Sequence, residues 1–336
     1  MAIPPEVAFD RFLRSQTVYK EGKQDLDRLD RPEDRAPLTA IQHTLNLALR
    51  NENRSVPEHK EHAPFHLDYV NTGTENAHAY SCQDYSFVGL TMGLIRKITD
   101  VCLRLSGSDE ITAHLDIEVT PDVRNGLQAI LFDNALSFIV AHEFAHIVHG
   151  HVEQRGAKSN SFNELLDDSD VASLEDQIME TDADGYAAYQ VLANVIGTNR
   201  CTQAVTALKV SDKPLASQDE ALFFCFMVAV VGFFFARTPV DICRNDIYRL
   251  THPPQVARLN YAMEHALAWC KLNRPALAVW LTRDRFLSVT KSTAEAIWGM
   301  SGRLAWDSQI AFFQSNAGLE YIRKLGEGLK SYVAAL

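Results

Sequence analysis

The sequence has few of the features that bind nucleic acid. Of its 336 residues, 32 are Lys or Arg and 43 are Asp or Glu, which gives a formal net charge of -11. Proteins that bind a phosphate backbone concentrate basic residues, so we expect no nucleic-acid partner. Lys and Arg are missing altogether from residues 159–199, where nine acidic residues occur. The net charge therefore lies largely in one segment.

Cysteine pairs and an apolar leader are also missing. The six cysteines are scattered along the chain and none belongs to a CxxC pair, so neither a zinc ribbon nor a thiol redox motif is indicated. The opening residues, MAIPPEVAFDRFLRSQ, lack the apolar core of a signal peptide. We therefore expect free thiols and a cytoplasmic location.

A clear membrane span is lacking too. Residues 221–236, ALFFCFMVAVVGFFFA, carry no charge, but the run is shorter than the about 20 apolar residues of a typical span. It also has no basic cluster on one side. We interpret the run as a buried core helix and expect no membrane partner, with a membrane segment as the alternative.

The residues that are present predict a predominantly helical α+β fold. The chain is 46% hydrophobic and 22% charged, which is the composition of a globular protein. Strand patterns occur at residues 85–91 and 114–119, whereas residues 65–84 are polar and rich in turn formers. Helices are predicted in three further segments, at residues 93–105, 120–149 and 173–195. Thr120 and Ser173 are suitable N-caps for the last two.

The motif HExxH occurs late in the second of these helices. Residues 141–151 read AHEFAHIVHGH and place the motif at His142, Glu143 and His146. Residues four apart share one face of a helix, so both imidazoles can bind one metal ion. Glu143 follows the first histidine, where its carboxylate can take a proton from an attacking water. The preceding AILFDNALSFIVA is strongly apolar, so unpaired His and Glu side chains would be costly there. Metal binding explains them better than packing does.

The third ligand decides the class of the metal site. The pattern HExxHxxGxxH would need glycine at position 149 and histidine at position 152, but the chain has His149 and Val152. Further along, METDADGY places Glu180 and Asp184 four residues apart. We predict Glu180 as a metal ligand and Asp184 as the partner that holds a ligating histidine by its second nitrogen. The alternative is a solvated acidic helix face.

HEFAH followed by ETDAD resembles the gluzincin zinc metallopeptidases. The resemblance is closest to the HtpX/CAAX-prenyl-protease type and to the phage-exclusion Lit-like peptidases, which pair HExxH with an ExxxD helix. Three further segments are similar to segments of these families. They are ENAHAY before YSFVGLTMGLI, HGH after the zinc helix, and THPPQVAR further along the chain. The resemblance covers about residues 65–270. The prenyl-protease type has several membrane spans, so the Lit-like type fits this chain better.

The resemblance implies a gluzincin-like catalytic domain with a small sheet beside the HExxH helix. It implies Zn²⁺ on His142, His146 and Glu180. Glu143 is then the general base and later the proton donor to the leaving amine.

Other roles implied by the resemblance lie outside the two motifs. The strand near residues 86–91 is expected to bind substrate in extended form by edge pairing. His252 is the candidate oxyanion partner, with a helix-boundary position as the alternative, and Arg258 is expected to anchor its loop to an acid. From their positions just beyond the motif, His149 and His151 are predicted to cap the helix or face solvent; the alternative for His149, one turn past His146, is that it faces the cleft.

These features together predict a soluble zinc endopeptidase that hydrolyses a cytosolic protein or peptide, with a regulatory protein partner as a further expectation. The alternative is a non-catalytic or membrane-tethered interaction protein that keeps zinc for structure. Glu143 argues against that alternative, because a purely structural site has no use for a base beside the ligand.

Three regions are predicted along the chain. Residues 1–64 form an N-terminal extension with one or two helices, which is either a solvated arm or has a function of its own. Residues 65–270 form the zinc metallopeptidase domain, and residues 271–336 form a helical C-terminal segment packed on it. Within the domain, the acidic residues 164–176 are predicted to gate the cleft or to favour basic substrates; a solvated connector is the alternative.

Overall fold

Helices make up most of the described part of the chain. The computed structural model describes residues 3–29, 31–55, 64–82, 85–115, 117–154, 173–197, 199–237, 242, 247–250 and 252–333. These residues confirm the predominantly helical α+β fold with a small sheet. The predicted acidic loop falls outside the described residues up to residue 172.

The described part of the chain contains three strands and fourteen α-helices. The strands are β1 (Phe65–Val70), β2 (Ala77–Cys82) and β3 (Tyr85–Thr91). The helices are α1 (Pro5–Ser15), α2 (Arg35–Ser55), α3 (Met92–Gly107), α4 (Asp109–Thr112), α5 (Pro121–Val148), α6 (His151–Gln154), α7 (Leu174–Gly197), α8 (Asn199–Ala207), α9 (Leu215–Phe234), α10 (Gln255–Asn273), α11 (Pro275–Trp280), α12 (Arg283–Trp298), α13 (Met300–Phe313) and α14 (Asn316–Val333).

The chain forms two compact units. The first contains Met1–Lys97 and His142–Leu166, and the second contains Ile98–Ala141 and Asp167–Leu336. The three predicted regions have other boundaries and stay a prediction about domain organisation.

The first unit contains a three-stranded sheet in the order β1-β3-β2. The central strand β3 is parallel to β1 and antiparallel to β2. The strand predicted at residues 85–91 is confirmed, whereas β1 and β2 lie where a polar, turn-rich segment was expected. Asp68 helps to explain the error: it is buried in β1, where Lys23 Nζ (3.0 Å) and Gln42 Nε2 (2.8 Å) donate to its carboxylate. These partners are distant in sequence, so the local pattern does not indicate them.

The sheet corrects the expected mode of substrate binding. Strand β3 is paired on both sides, so a substrate cannot pair with residues 86–91. At the outer edge of β1, the Asn46 side chain donates to the Leu67 carbonyl (2.9 Å) and accepts from the Leu67 amide (2.8 Å). Residues 77–80 of β2 are buried, and α6 packs against this strand. The prediction of edge pairing at residues 86–91 is therefore wrong.

The N-terminal extension is helical and packs on the sheet. Phe9 and Leu13 of α1 are fully buried in one apolar cluster with Tyr80 and Phe87 of the strands. The ring of Phe12 stacks on Tyr80 with their centroids 4.0 Å apart. Burial of these side chains stabilises α1 on the sheet, so this part of the extension is not a solvated arm.

The second unit lacks the strand predicted at residues 114–119 in its described part. Ser108 instead caps the short helix α4 by accepting from the Ile111 amide (3.3 Å). Turn bonds follow, from the amide of His114 to the Ile111 carbonyl (3.2 Å) and from that of Ile117 to the Leu115 carbonyl (2.8 Å). Alternation of apolar and polar residues suggested a strand, but the cap and the turns use the backbone groups that a strand needs.

Helix α9 contains the apolar run at residues 221–236. It is the one described helix long and apolar enough to span a membrane, and 72% of its apolar window is buried inside the protein. Residues 221–234 are all buried, and α7, α8, α10, α11 and α12 pack against the helix. This environment favours the predicted core helix, because its apolar side chains already have protein neighbours.

A buried histidine lies in β2. His78 is 1% exposed, and neither ring nitrogen has a hydrogen-bond partner among the described residues. Its ring stacks on Tyr19 at 4.8 Å between centroids. Gly89 of β3 makes room for it, since a Cβ there would lie 2.6 Å from His78 Nε2. Burial lowers the pKa of His78 from 6.5 to about 3.

We predict that His78 makes the fold sensitive to acid. Between pH 6.5 and about 3 the unfolded chain binds a proton that folded His78 does not, so stability falls with falling pH by roughly 1.4 kcal/mol per unit from this residue. His78→Leu is expected to reduce the loss of unfolding free energy between pH 7 and pH 5, measured by urea denaturation. His43→Leu, on an exposed face of α2, controls for removal of an imidazole. An unchanged pH dependence in His78→Leu contradicts the prediction.

Candidate metal centre

The HExxH residues lie in the last two turns of α5. The Nε2 atoms of His142 and His146 lie 2.9 Å apart, and their rings meet edge to face at 82°. Two nitrogen ligands of a tetrahedral zinc ion are about 3.3 Å apart, given Zn–N distances of about 2.0–2.1 Å. Both imidazoles and Glu143 are 0% exposed. The helix therefore directs two nitrogen ligands to one point and buries a carboxylate beside them.

Aromatic packing fixes this end of α5 in the first unit. Phe144, between the two histidines in sequence, is 1% exposed. Its ring lies 4.6 Å from that of Phe65 at the start of β1. A buried aromatic pair limits rotation of the helix on the strand. The imidazoles on the opposite face of the helix are thereby held in place.

His151 contacts the second nitrogen of His146. The two Nδ1 atoms lie 2.7 Å apart, and His151 is fully buried at the start of α6. Gly150, with φ of 73°, makes the turn between α5 and α6. When Nε2 of His146 binds a metal ion, its Nδ1 carries the proton and donates to His151, which fixes the ring orientation. The expectation that His151 caps the helix or faces solvent is therefore wrong.

Helix α7 contains the acidic motif in the second unit. Ser173 caps it as predicted: the Asp176 amide donates to Ser173 Oγ (3.3 Å), and the Ser173 amide donates to the Asp176 carboxylate (2.9 Å). Glu180 is 1% exposed and Asp184 is 0% exposed. They do not form the solvated acidic face that was the alternative.

Asp184 and Arg258 form a buried ion pair. Arg258 Nε donates to Asp184 Oδ2 and its Nη2 donates to Oδ1, both at 2.7 Å. Nη2 also lies 3.7 Å from Glu180 Oε2, and the guanidinium lies over the Phe234 ring at 4.6 Å. Arg258 is thus bound to an acid, as expected. The predicted role of Asp184 in holding a ligating histidine stays a prediction.

His252 lies beside the acidic ligand candidate. Its Nε2 is 3.5 Å from Glu180 Oε2, and its side chain is 15% exposed. Pro253 and Pro254 follow it and are buried, and α10 begins at the next residue. The two prolines restrict the backbone after His252. The predicted oxyanion residue therefore lies next to Glu180, at the boundary of α10.

Two groups of described residues could hold a metal ion. His142, His146 and Glu180 each offer one ligand atom, and these atoms lie within 4.8 Å of one another. His149, His151 and Asp182 form a second group that satisfies the same criterion. Two imidazoles and one carboxylate are a donor set of catalytic zinc sites, which keep another position open. The first group contains both histidines of the HExxH motif, with Glu143 next to His142 in sequence, and therefore suits a metal ion with a neighbouring base.

The profile of the Peptidase U49 family matches residues 118–268. This segment contains α5, α7 and most of α10, and with them the predicted site residues. The match supports a peptidase. It also supports the predicted resemblance to the Lit-like peptidases, because Peptidase U49 is a Lit-like metallopeptidase family. No curated protein and no solved structure matches the chain. The resemblance to the HtpX/CAAX type stays a prediction.

We predict that His151 contributes to metal affinity. His151→Leu removes the partner of His146 Nδ1, and loss of such a partner typically weakens metal binding about 10–100-fold. Competition with a chromophoric zinc chelator measures the change. His114→Leu, a histidine outside both candidate ligand groups, is the control and is expected to bind as tightly as the wild type. Equal affinity in all three proteins means that His151 does not support the ligand.

We also predict that Arg258 is required for stability. Arg258→Ala leaves the carboxylate of Asp184 buried without its guanidinium partner, which typically costs about 3–5 kcal/mol. Urea denaturation of metal-free protein measures this cost. Arg323→Ala removes an arginine with exposed carboxylate partners and is expected to change stability little. The prediction fails if the two variants unfold at the same urea concentration.

Proposed function

We propose that the protein is a soluble, cytoplasmic zinc endopeptidase that hydrolyses peptide bonds of a protein or peptide. One observation carries the proposal: the ligand atoms of His142, His146 and Glu180 lie within 4.8 Å of one another. The match to a peptidase family over residues 118–268 supports it. His₂Glu is a ligand set of zinc hydrolases, in which a further position takes water or substrate.

Glu143 is proposed to be the general base and acid. When bound, zinc polarises the scissile carbonyl and lowers the pKa of the attacking water. Glu143 accepts a proton from that water on a carboxylate oxygen and then donates it to the nitrogen of the leaving amine. The side chain is fully buried next to the ligand His142, so bulk water does not compete for the proton.

His252 and Arg258 are proposed to stabilise charge near the acidic ligand. In this proposal His252, whose Nε2 lies 3.5 Å from Glu180 Oε2, donates to the carbonyl oxygen of the substrate as that oxygen gains negative charge. Arg258 Nη2 lies 3.7 Å from the same carboxylate oxygen, so its positive charge lies beside the acidic ligand. Asp184 holds Arg258 and, in this proposal, orients a ligating histidine as well.

A cytoplasmic peptidase must be restrained, so we propose a regulatory protein partner. The alternative function, a non-catalytic interaction protein with structural zinc, uses the same ligands but has no role for Glu143. The two functions therefore differ in the effect of a single substitution.

Glu143→Gln is expected to bind zinc with unchanged stoichiometry, since it keeps all three ligands. It is expected to lose peptide hydrolysis by at least about 10²–10⁴-fold, because the general base is lost. Zinc content by atomic emission and cleavage of an unfolded protein by mass spectrometry measure the two properties. Glu264→Gln, on the exposed face of α10, is the matched control and is expected to keep full activity.

A second experiment tests the proposal without a chosen substrate. Protein termini are labelled proteome-wide in a host that expresses either the wild type or Glu143→Gln. New termini are expected only with the wild type. If both proteins bind zinc but produce the same termini and cleave no unfolded protein, the endopeptidase proposal fails and the structural site is favoured.

A further inference from the structure

The side chain of Gln177 connects three parts of the second unit. Gln177 is fully buried on α7, three residues before Glu180. Its Nε2 donates to the carbonyl oxygens of Ile247 (2.8 Å) and Leu250 (2.7 Å). Its Oε1 accepts from the Tyr321 hydroxyl at 2.7 Å. Both amide hydrogens and the amide oxygen are thus used.

The two carbonyl groups belong to the segment that precedes His252. Ile247–Arg249 is a single 3₁₀ turn, and Leu250 is two residues before His252 in sequence. The amide of Gln177 therefore ties this turn to the helix that contains Glu180. His252 Nε2 in turn lies 3.5 Å from Glu180 Oε2. A shift of the turn is expected to move the imidazole relative to the carboxylate.

Tyr321 determines how the amide of Gln177 is oriented. It belongs to α14, is 0% exposed and packs edge to face on Tyr248 of the same turn at 5.6 Å. Burial raises the pKa of Tyr321, so its hydroxyl keeps its proton and donates. Because Tyr321 donates to Oε1, the Nε2 group of Gln177 faces the two carbonyls. A rotated amide would place its oxygen against carbonyl oxygens, which is unfavourable.

We infer that Gln177 and Tyr321 are positioning residues for His252, and that the C-terminal helix α14 is therefore part of the catalytic apparatus. The inference rests on the proposed function of His252 as a substrate-binding group. Neither residue touches the reacting atoms. They act by fixing the turn from which the chain continues to His252. Tyr321 lies outside the segment that matches the peptidase family, which ends at residue 268.

The test compares two phenylalanine substitutions, each of which removes one tyrosine hydroxyl. One hydroxyl belongs to α14, and the other donates a hydrogen bond to α14. Tyr321→Phe removes the donor to Gln177. Tyr261→Phe removes a donor from α10 to the Ile322 carbonyl of α14 (2.9 Å) and leaves Gln177 untouched. Both are expected to lower the melting temperature by similar amounts. Only Tyr321→Phe is expected to lower kcat, by about ten-fold, with KM within two-fold of the wild type.

A measurement without substrate keeps this test separate from the proposed function. In zinc-loaded protein with labelled histidine, the ring signals of His252 are assigned by comparison with His252→Gln. They are expected to shift or broaden in Tyr321→Phe but not in Tyr261→Phe. Gln177→Met removes both donors to the turn and is expected to shift the same signals further and to lower kcat by about 100-fold.

The outcomes separate the two ideas. If Tyr321→Phe and Tyr261→Phe have the same kcat and the same His252 signals as the wild type, the positioning role is overturned. If the wild type cleaves nothing while the His252 signals still depend on Tyr321 alone, the positioning of His252 stands and the peptidase proposal fails.

Discussion

The burial of ionisable groups around the candidate metal centre is the constraint on which this protein depends. His142, Glu143, His146 and Asp184 are 0% exposed and Glu180 is 1% exposed. Charged groups without water are stable only if opposite charge, hydrogen bonds or a metal ion replace the lost solvation. Arg258 provides this for Asp184, and His151 contacts His146. A divalent cation held by the proposed ligands His142, His146 and Glu180 would offset the negative charge of the Glu180 carboxylate.

The proposed ligands lie on two helices, α5 and α7. In α5 and α7 the important side chains are one turn apart, so their spacing is set by the helix itself and requires no special loop. Local bonds define where α7 begins, since Ser173 and Asp176 satisfy amide groups of its first turn. Phe144 packs the other ligand helix on β1. Sites on packed helices keep their geometry better than sites on loops.

The two buried carboxylates of α7 have different partners. Glu180 has His252 and Arg258 nearby, whereas Asp184 binds the fork of Arg258 with both oxygens. The Asp184 carboxylate is thus bound by the guanidinium of Arg258, while that of Glu180 belongs to a group that could hold a metal ion. The second nitrogen of His146 meets His151. Partners of this kind fix the orientation of metal ligands and tune their basicity. Through Gln177 and Tyr321, packing far along the chain also bears on the site.

Local sequence determined much of the site and of the helical fold. Each local feature depends on spacing within a few residues: HExxH on an apolar helix, ExxxD on a second helix, and the Ser173 cap. His142, His146 and Glu180 could therefore be predicted together from the sequence. Sequence could not reveal that β3 is the central strand, that His151 contacts His146, or that Tyr321 orients Gln177. These partners lie on different elements, and only packing of the whole chain brings them together. The alternation at residues 114–119 misled because a cap and turns compete with a strand for the same backbone groups. The spacing of apolar residues thus indicates which face of a helix or strand is buried. Only the tertiary structure determines which other elements pack against that face.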